Sequence, residues 1–242
     1  MTEARTVWGI KLCGHDFDLQ DWRDTLREPF DPAVVQQGDD FILRASEFQS
    51  CDSAPAVLDK AIALFDVLNG AMRAEKGSHP VRYCGVYELL PEGWRQSSHV
   101  FPPAAITDLR VRINVDPAVP APPPTRSNAQ AWVELSERSD HLADALRYAG
   151  RGEWFDIYKA IECLQAFAGS GESGLRLKNW IGSGDLTLMK QTANCFYRHR
   201  RGKFKPPPTP MPLDEARELL ARLIEHAFAE LAATTSGSPP AC

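Results

Sequence analysis

One segment of the chain, residues 190–205 (KQTANCFYRHRRGKFK), combines side chains that could act on a phosphate ester. Three aromatic residues lie among its bases: Phe196, Tyr197 and Phe204. The bases near its end are Arg198, His199, Arg200, Arg201, Lys203 and Lys205. Clustered bases neutralise phosphates, and aromatic rings stack on unpaired nucleobases. The segment therefore predicts binding of RNA or another phosphate-bearing ligand.

Helical spacing groups the candidate catalytic residues of this segment. On an α-helix, Asn194 and Arg198 lie one turn apart on one face, with Lys190 a turn earlier and His199 one residue further round. Because histidine titrates near neutral pH, His199 is the candidate general acid/base. The predicted catalytic set is His199, Arg198 and Asn194. The residues predicted to bind the ligand are Lys190, Arg200, Arg201, Lys203 and Lys205.

Two other interpretations fit the same residues. Bases at the end of a helix also complement its dipole, so residues 198–205 could instead dock a non-catalytic protein against an acidic partner surface. The chain could also be a small-molecule enzyme with its pocket between two domains. Cys195 and His199 are spaced i, i+4, but no matching second pair of ligands follows, so the sequence predicts no metal and no cofactor.

Charge and hydropathy exclude several classes of protein. The net charge of the 242 residues is −5, with 12 basic and 18 acidic side chains in residues 1–120 and 15 basic and 14 acidic in residues 121–242. Neither half has the broad basic excess of a general polyanion binder, so we expect any RNA contact to be local. No apolar stretch is long enough to span a bilayer, and no apolar signal region opens the sequence. We therefore expect a cytoplasmic protein with reduced, scattered cysteines and no membrane contact.

The elements that must position the basic segment form two groups, which predict an α+β fold. Residues 1–116 are predicted to form a small mixed domain of about four strands and one main helix. Alternating apolar residues predict the strands at 5–12, 40–48, 81–90 and 105–115. A wide apolar stripe predicts the helix over 54–72, with Asn69-Gly70 as its stop signal.

The second half is predicted to be an all-α bundle over residues 128–232. Five prolines in residues 116–128 indicate an extended linker, placed at 117–127, because proline cannot continue a helix. Apolar residues at helical spacing predict helices over 128–149, 153–168, 185–200 and 213–232. On the helix at 153–168, Asp156, Lys159 and Glu162 share the polar side, and Lys159 and Glu162 are spaced to pair. The tail, 233–242, is predicted to be disordered.

Three runs in the second half are similar to a group of bacterial proteins of unknown activity that join an N-terminal mixed domain to a C-terminal helical one. The runs are WFDIYKAIECL (154–164), TANCFYRHRR (192–201) and PMPLDEAR (210–217). The layout of this half also resembles the HEPN helical bundles. That resemblance implies a ribonuclease, of the kind found in toxin–antitoxin and phage-defence systems, that acts as a homodimer.

The HEPN signature separates an Arg from a His on one helix by four to six residues. Before His199 those positions hold Thr192, Ala193 and Asn194, so Arg198 or Arg200 would have to supply the guanidinium. In the activity that this resemblance implies, His199 moves a proton at a ribose 2′-hydroxyl or at the leaving oxygen. The arginine stabilises the charge on the pentacoordinate phosphate, and no metal is required.

Overall fold

The computed structural model describes residues 7–90, 93–99, 123–169, 171–198 and 203–236. Strands and helices alternate in the first part of the described chain and helices alone follow residue 127, so the fold is α+β, as predicted. Two compact units are present. Unit 1 comprises Met1–Phe65 and Ser78–Ala131, and unit 2 comprises Asp66–Gly77 and Trp132–Cys242.

Unit 1 is built on an antiparallel sheet whose described strands lie in the order β2-β3-β1-β4-β5. The strands are β1 (Val7–Cys13), β2 (Ala33–Gln37), β3 (Asp40–Arg44), β4 (Arg82–Leu90) and β5 (Gly93–His99). The predictions at 5–12 and 81–90 are confirmed by β1 and β4. The strand predicted at 40–48 is confirmed only over β3, because Ser46–Ser50 form a 3-10 helix. The strand predicted at 105–115 lies outside the described residues. The sequence did not predict β2 and β5. Both form edges of the described sheet, where a strand needs one bonded neighbour. β5 (GWRQSSH) is largely polar, and β2 (AVVQQ) is too short to show a clear alternation.

Large apolar side chains fill the core of unit 1. Helix α1 (Asp16–Thr25) contributes Trp22, which is fully buried. The Trp22 ring stacks on Phe65 at 5.7 Å between centroids, and Phe65 meets Tyr83 edge-on at 5.5 Å. Phe65 belongs to helix α2 (Ala54–Lys76), which the boundary between the units crosses. Aromatic contacts thus join α1, α2 and β4.

The expectation that all cysteines are reduced is wrong for one pair. Cys13 and Cys84 form a disulfide with a Cα–Cα distance of 5.9 Å. Their strands, β1 and β4, are hydrogen-bonded neighbours with a register shift between Lys11 and Leu12. The pairing of β1 with β4 therefore brings together two residues 71 positions apart in sequence.

The described elements of the second half are helical. Their bounds are α3 (Asn128–Ser136), α4 (Asp140–Arg151), α5 (Trp154–Ala168), α6 (Glu172–Leu177), α7 (Ser183–Ala193) and α8 (Leu213–Ser236). Helices α5 and α8 confirm the predictions at 153–168 and 213–232, although α8 continues to Ser236 in the segment predicted to be disordered. Across the described residues, no helix is long and apolar enough to cross a membrane.

The single helix predicted over 128–149 is two helices. Ser139 separates them, because its hydroxyl accepts a hydrogen bond from the Leu142 amide at 3.4 Å and caps the start of α4. Helix α4 ends at Gly152, which has a left-handed φ of 67°. The apolar periodicity of 128–149 continues through this break and does not reveal it. The capping residue Ser139 was the better sequence signal that a new helix starts here.

Gly70 does not end helix α2, contrary to the prediction; the helix continues to Lys76. A Cβ placed on Gly70 would lie 1.9 Å from the carbonyl oxygen of Leu146 in α4. The missing side chain therefore lets the two helix backbones of unit 2 approach closely. Gly77, with a φ of 69°, follows the last helical residue.

We expect Gly70→Ala to lower the free energy of unfolding by at least about 2 kcal/mol, because the added methyl meets rigid backbone. Gly184→Ala is the matched control, since no atom of the described residues lies within 4 Å of its Cβ position in α7. That control should gain up to about 1 kcal/mol from better helix propensity. Urea denaturation of both variants measures the difference. A neutral Gly70→Ala would contradict the close approach of α2 and α4.

Candidate functional site

Helix α5 supplies one side of the candidate site in unit 2. Its buried residues, including Ile157 and Ile161, face the helical core. Tyr158 and Glu162 are half-buried and lie one turn apart on another face of the helix. The helical periodicity that buries the isoleucines thus leaves an aromatic ring and a carboxylate side by side at the surface.

Helix α7 and a following turn of π-helix (Asn194–Arg198) supply the opposite side. The α-helix predicted over 185–200 is wrong at this point, because α7 ends at Ala193. A π turn bonds i to i+5 rather than i to i+4, so the predicted one-turn relation of Asn194 to Arg198 does not hold. Single π turns occur frequently at functional sites.

Two contacts fix the chain after the π turn. The buried Cys195 thiol donates to the carbonyl oxygen of Lys205 at 3.2 Å. The backbone amide of Met211 donates to the hydroxyl of the buried Thr192 at 3.1 Å. Two described segments, the π turn and the residues from Lys205 to Met211, are therefore held to each other and to α7.

Three cations gather around Tyr158 and Glu162; we call Lys159, Lys190 and Arg198 the cation cluster. The Arg198 guanidinium lies 4.0 Å from the centroid of the Tyr158 ring, and the Lys190 ammonium lies 5.7 Å from it. Glu162 accepts from Lys159 at 2.7 Å and from Arg198 at 3.4 Å. The structure thus brings the predicted residues Lys190 and Arg198 to one ring.

Exposed aromatic rings border the cation cluster. Tyr197 stacks on the buried Trp154 at 5.3 Å between centroids with an interplanar angle of 12°, yet is 57% exposed. Phe196 is 44% exposed and lies 6.2 Å from Tyr197. Exposed stacked rings of this kind are the platforms that proteins use for unpaired bases.

Asn194 has an unmet hydrogen-bonding requirement. Its side-chain oxygen is buried and has no hydrogen-bond partner in the part of the chain that the structure describes. Buried acceptors of this kind are rare, because each one forfeits its bond to water. Because this oxygen is inaccessible to solvent, the described structure does not show Asn194 in the catalytic role that the sequence predicts.

The other predicted residues have different outcomes. His199, Arg200 and Arg201 lie outside the described residues, so their placement stays a prediction. Lys203 and Lys205 are exposed, and the Lys203 ammonium lies 5.5 Å from the Phe204 ring. Among the described ranges, no cluster of three or more histidine, cysteine or acidic side chains could hold a metal ion.

Local environment shifts the pKa of three groups on α5. Burial raises the pKa of Asp156, and the nearby Arg151 guanidinium opposes this shift. The hydrogen bond to Glu162 raises the pKa of Lys159, which keeps it charged. Burial also raises the pKa of the Cys163 thiol, which disfavours the thiolate. The polar face of α5 therefore offers a charged lysine and no activated nucleophile among these groups.

Sequence reasoning missed Tyr158 and the link from Glu162 to Arg198. The ion pair of Lys159 with Glu162 was predicted, as part of a surface face, and is confirmed. A usable signal was present, because Trp154, Tyr158 and Glu162 recur every four residues, the spacing of one helix face. An aromatic and acidic stripe next to a basic segment in the same bundle is the pattern to search for.

Comparisons of the chain with protein-family models, curated proteins and solved structures found no significant match.

The contact of Arg198 with Tyr158 should be measurable as a coupling energy. In a double-mutant cycle of Tyr158→Leu and Arg198→Met, we expect a coupling of about 0.5–1 kcal/mol in the free energy of unfolding. The matched cycle is Tyr148→Leu with Arg151→Met, where the guanidinium is 5.6 Å from the ring and should couple more weakly. Urea titrations of both sets measure this. Equal coupling energies in the two cycles would contradict a stronger cation–π contact of Arg198 with Tyr158 than of Arg151 with Tyr148.

Proposed function

We propose that unit 2 binds single-stranded RNA through the surface formed by Lys190, Phe196, Tyr197 and Arg198. The observation that carries this proposal is that two cations flank Tyr158 next to two exposed aromatic rings. Phosphate contacts supply affinity for nucleic acids, and base stacking on aromatic rings supplies a preference for unpaired strands.

The charge balance of the site supports phosphate binding. The cation cluster places three positive charges around one ring and one carboxylate, Glu162. This local excess contrasts with the net charge of −5 for the whole chain. A local basic surface on an acidic protein would bind RNA at one place and leave the remaining surface unattractive to it.

The aromatic rings support contact with bases. Because Trp154 covers one face of Tyr197 and the ring is still 57% exposed, the opposite face is open to a base. Trp154 is itself buried, so Tyr197 rests on a fixed support. A ring held in this way loses little side-chain entropy when a base stacks on it.

Cleavage is the further part of this proposal and is argued from the sequence. His199 would act as general acid/base at a ribose 2′-hydroxyl, with Arg198 or Arg200 stabilising the phosphate and without a metal, as in HEPN ribonucleases. A homodimer in the cytoplasm belongs to the same proposal. Disulfides are rare in that compartment, so the disulfide between Cys13 and Cys84 opposes this part of the proposal. Alkylation of free thiols at the moment of cell lysis tests it, because a cytoplasmic protein should have both cysteines alkylated.

Fluorescence polarisation with a labelled single-stranded RNA of mixed sequence, in EDTA, tests binding. We expect Tyr197→Ala to weaken binding by about tenfold, since stacking of one base contributes about 1–3 kcal/mol. Arg222→Ala removes an exposed cation of α8 and is the control that should change little. Gel analysis of the same mixtures detects cleavage, which His199→Ala should abolish. Absence of binding by the wild-type protein would refute the RNA proposal, and binding without cleavage would refute only the nuclease part.

A second prediction concerns Glu162, which competes with a phosphate for Lys159 and Arg198. We expect Glu162→Gln to tighten RNA binding and to steepen its salt dependence by about 0.7 in log–log slope for each additional phosphate neutralised. Glu218→Gln, an equal change of charge on an exposed residue of α8, is the control. If both variants change affinity equally, net charge rather than the cation cluster governs binding.

A non-catalytic docking module for an acidic protein is the second candidate. The contact of Glu162 with Arg198 favours it, because a carboxylate already fits against this guanidinium at 3.4 Å. Exposed Lys203, Phe204 and Lys205 extend the surface that such a partner would meet. Competition by polyglutamate and by RNA in the polarisation assay separates the two, since a docking module would prefer the polypeptide.

A further inference from the structure

The disulfide of unit 1 lies at an irregularity of the sheet. Successive residues of β1 pair with Gly85 and Tyr83 of β4, so Cys84 between them has no partner on β1. An extra residue of this kind forms a bulge, which redirects its side chain, and bulges are over-represented next to active sites. Here the extra residue is one half of the disulfide between Cys13 and Cys84.

The two cysteines of this disulfide differ in their exposure. Cys84 is 8% exposed, whereas Cys13 is half-buried and is the last residue of β1. In thiol–disulfide exchange, an attacking thiolate must reach one of the two sulfur atoms, and the other sulfur leaves as a thiolate. The difference in exposure therefore favours attack at Cys13, with Cys84 as the leaving group.

An exposed arginine lies opposite Cys13. Arg82 of β4 is its partner in the register, and directly opposite residues of an antiparallel pair have their side chains on the same side of the sheet. Lys11, two residues before Cys13, is already paired with Asp40 at 2.7 Å, whereas Arg82 forms no ion pair within the described residues. During exchange a negative charge spreads over the reacting sulfur atoms, so an uncompensated guanidinium nearby lowers the free energy of the transition state.

We propose that Cys13 and Cys84 form a site of thiol–disulfide exchange with a small thiol, and that Cys13 is the residue attacked. In the first step, the thiolate bonds to Cys13 Sγ, the bond between the two protein sulfurs breaks, and Cys84 leaves as a thiolate that takes a proton from water. A second small thiol then attacks the sulfur of the first. This step releases Cys13 as a thiol and the two small thiols as their disulfide, so two electrons and two protons pass to the protein. The proposal concerns unit 1 and is independent of RNA binding.

The fold makes this exchange reversible. β1 is hydrogen-bonded to β3 on one side and to β4 on the other, so the backbone pairing holds Cys13 close to Cys84 after the bond between their sulfurs is broken. The two residues are 71 positions apart in sequence, and without this pairing the chain would have to bring them together again. We therefore expect an oxidised small thiol to restore the disulfide in the folded protein.

Mass spectrometry of the full chain locates the attacked sulfur. The free thiols of the oxidised protein are first blocked with N-ethylmaleimide. The folded protein is then treated briefly with glutathione, and iodoacetamide stops the reaction. We expect glutathione on Cys13 and the acetamide label on Cys84, in about tenfold excess over the reverse pattern.

The rate of the reaction separates exchange in the folded protein from exchange after unfolding. Attack on the folded protein should be proportional to the glutathione concentration and unchanged by urea below the unfolding transition, whereas attack on an opened state rises steeply with urea. Arg82→Gln should slow the exchange about threefold, since it removes one nearby exposed charge. Arg138→Gln, an equal change of charge on an exposed residue between α3 and α4, is the control that should leave the rate unchanged.

Each outcome supports or overturns a stated part of the proposal. A glutathione adduct on Cys13 that forms at a rate independent of urea establishes the exchange site. A disulfide that glutathione opens only in proportion to the unfolded fraction, or not at all, overturns it. Glutathione mainly on Cys84 overturns the assignment of Cys13, and equal slowing by Arg82→Gln and Arg138→Gln overturns the role of Arg82. Circular dichroism verifies that both variants are folded, and the adduct analysis needs no variant.

Discussion

The contact between the backbones of α2 and α4 is the constraint on which the candidate site depends. Gly70 and Gly150 face each other in this contact, since a Cβ on Gly150 would lie 3.0 Å from the Gly70 amide nitrogen. Close contact of two backbones fixes where α4 ends. Gly152 follows with a left-handed φ, and Arg217 of α8 donates to its carbonyl oxygen at 3.0 Å. This turn determines where α5 starts. The start of α5 in turn determines where Tyr158 and Glu162 lie along the helix axis.

The π turn at Asn194–Arg198 then determines which side chains meet α5. In a continuous α-helix, the residue four positions after Asn194 would lie above it on the same face. The wider π turn instead directs Arg198 to Tyr158, while the side-chain oxygen of Asn194 is buried and has no partner among the described residues. The departure from α-helical geometry thus places a guanidinium over an aromatic ring. The geometry of the site is thus a property of the irregular turn rather than of the helix before it.

Sequence reasoning succeeded where one side of an element is buried and failed where a second segment decides the structure. The strands β1, β3 and β4 and the helices α5 and α8 carry clear apolar periodicity, so their positions were predicted. The continuation of α2 beyond Gly70 depends on Leu146 of another helix, and the disulfide depends on the pairing of β1 with β4. In the site, Lys190 and Arg198 were identified as bases, but Tyr158 and Glu162 come from a segment about 30 residues earlier, and no local pattern states that packing brings them together.

The partners of Arg198 bear on what the proposed surface would select. A phosphate that binds Arg198 must displace or share it with Glu162, so part of the Coulomb attraction is already used in the free protein. The contact with Tyr158 does not compete with a phosphate for Arg198, because the ring carries no charge and lies on one side of the guanidinium. A single phosphate therefore gains little on this surface. A ligand with several phosphates can contact Lys190 and Lys159 as well. A strand that also stacks a base on Tyr197 gains stacking free energy, which the charge of Glu162 does not reduce. If this surface binds nucleic acid as we propose, it would favour an extended, unpaired polynucleotide over an isolated phosphate ion.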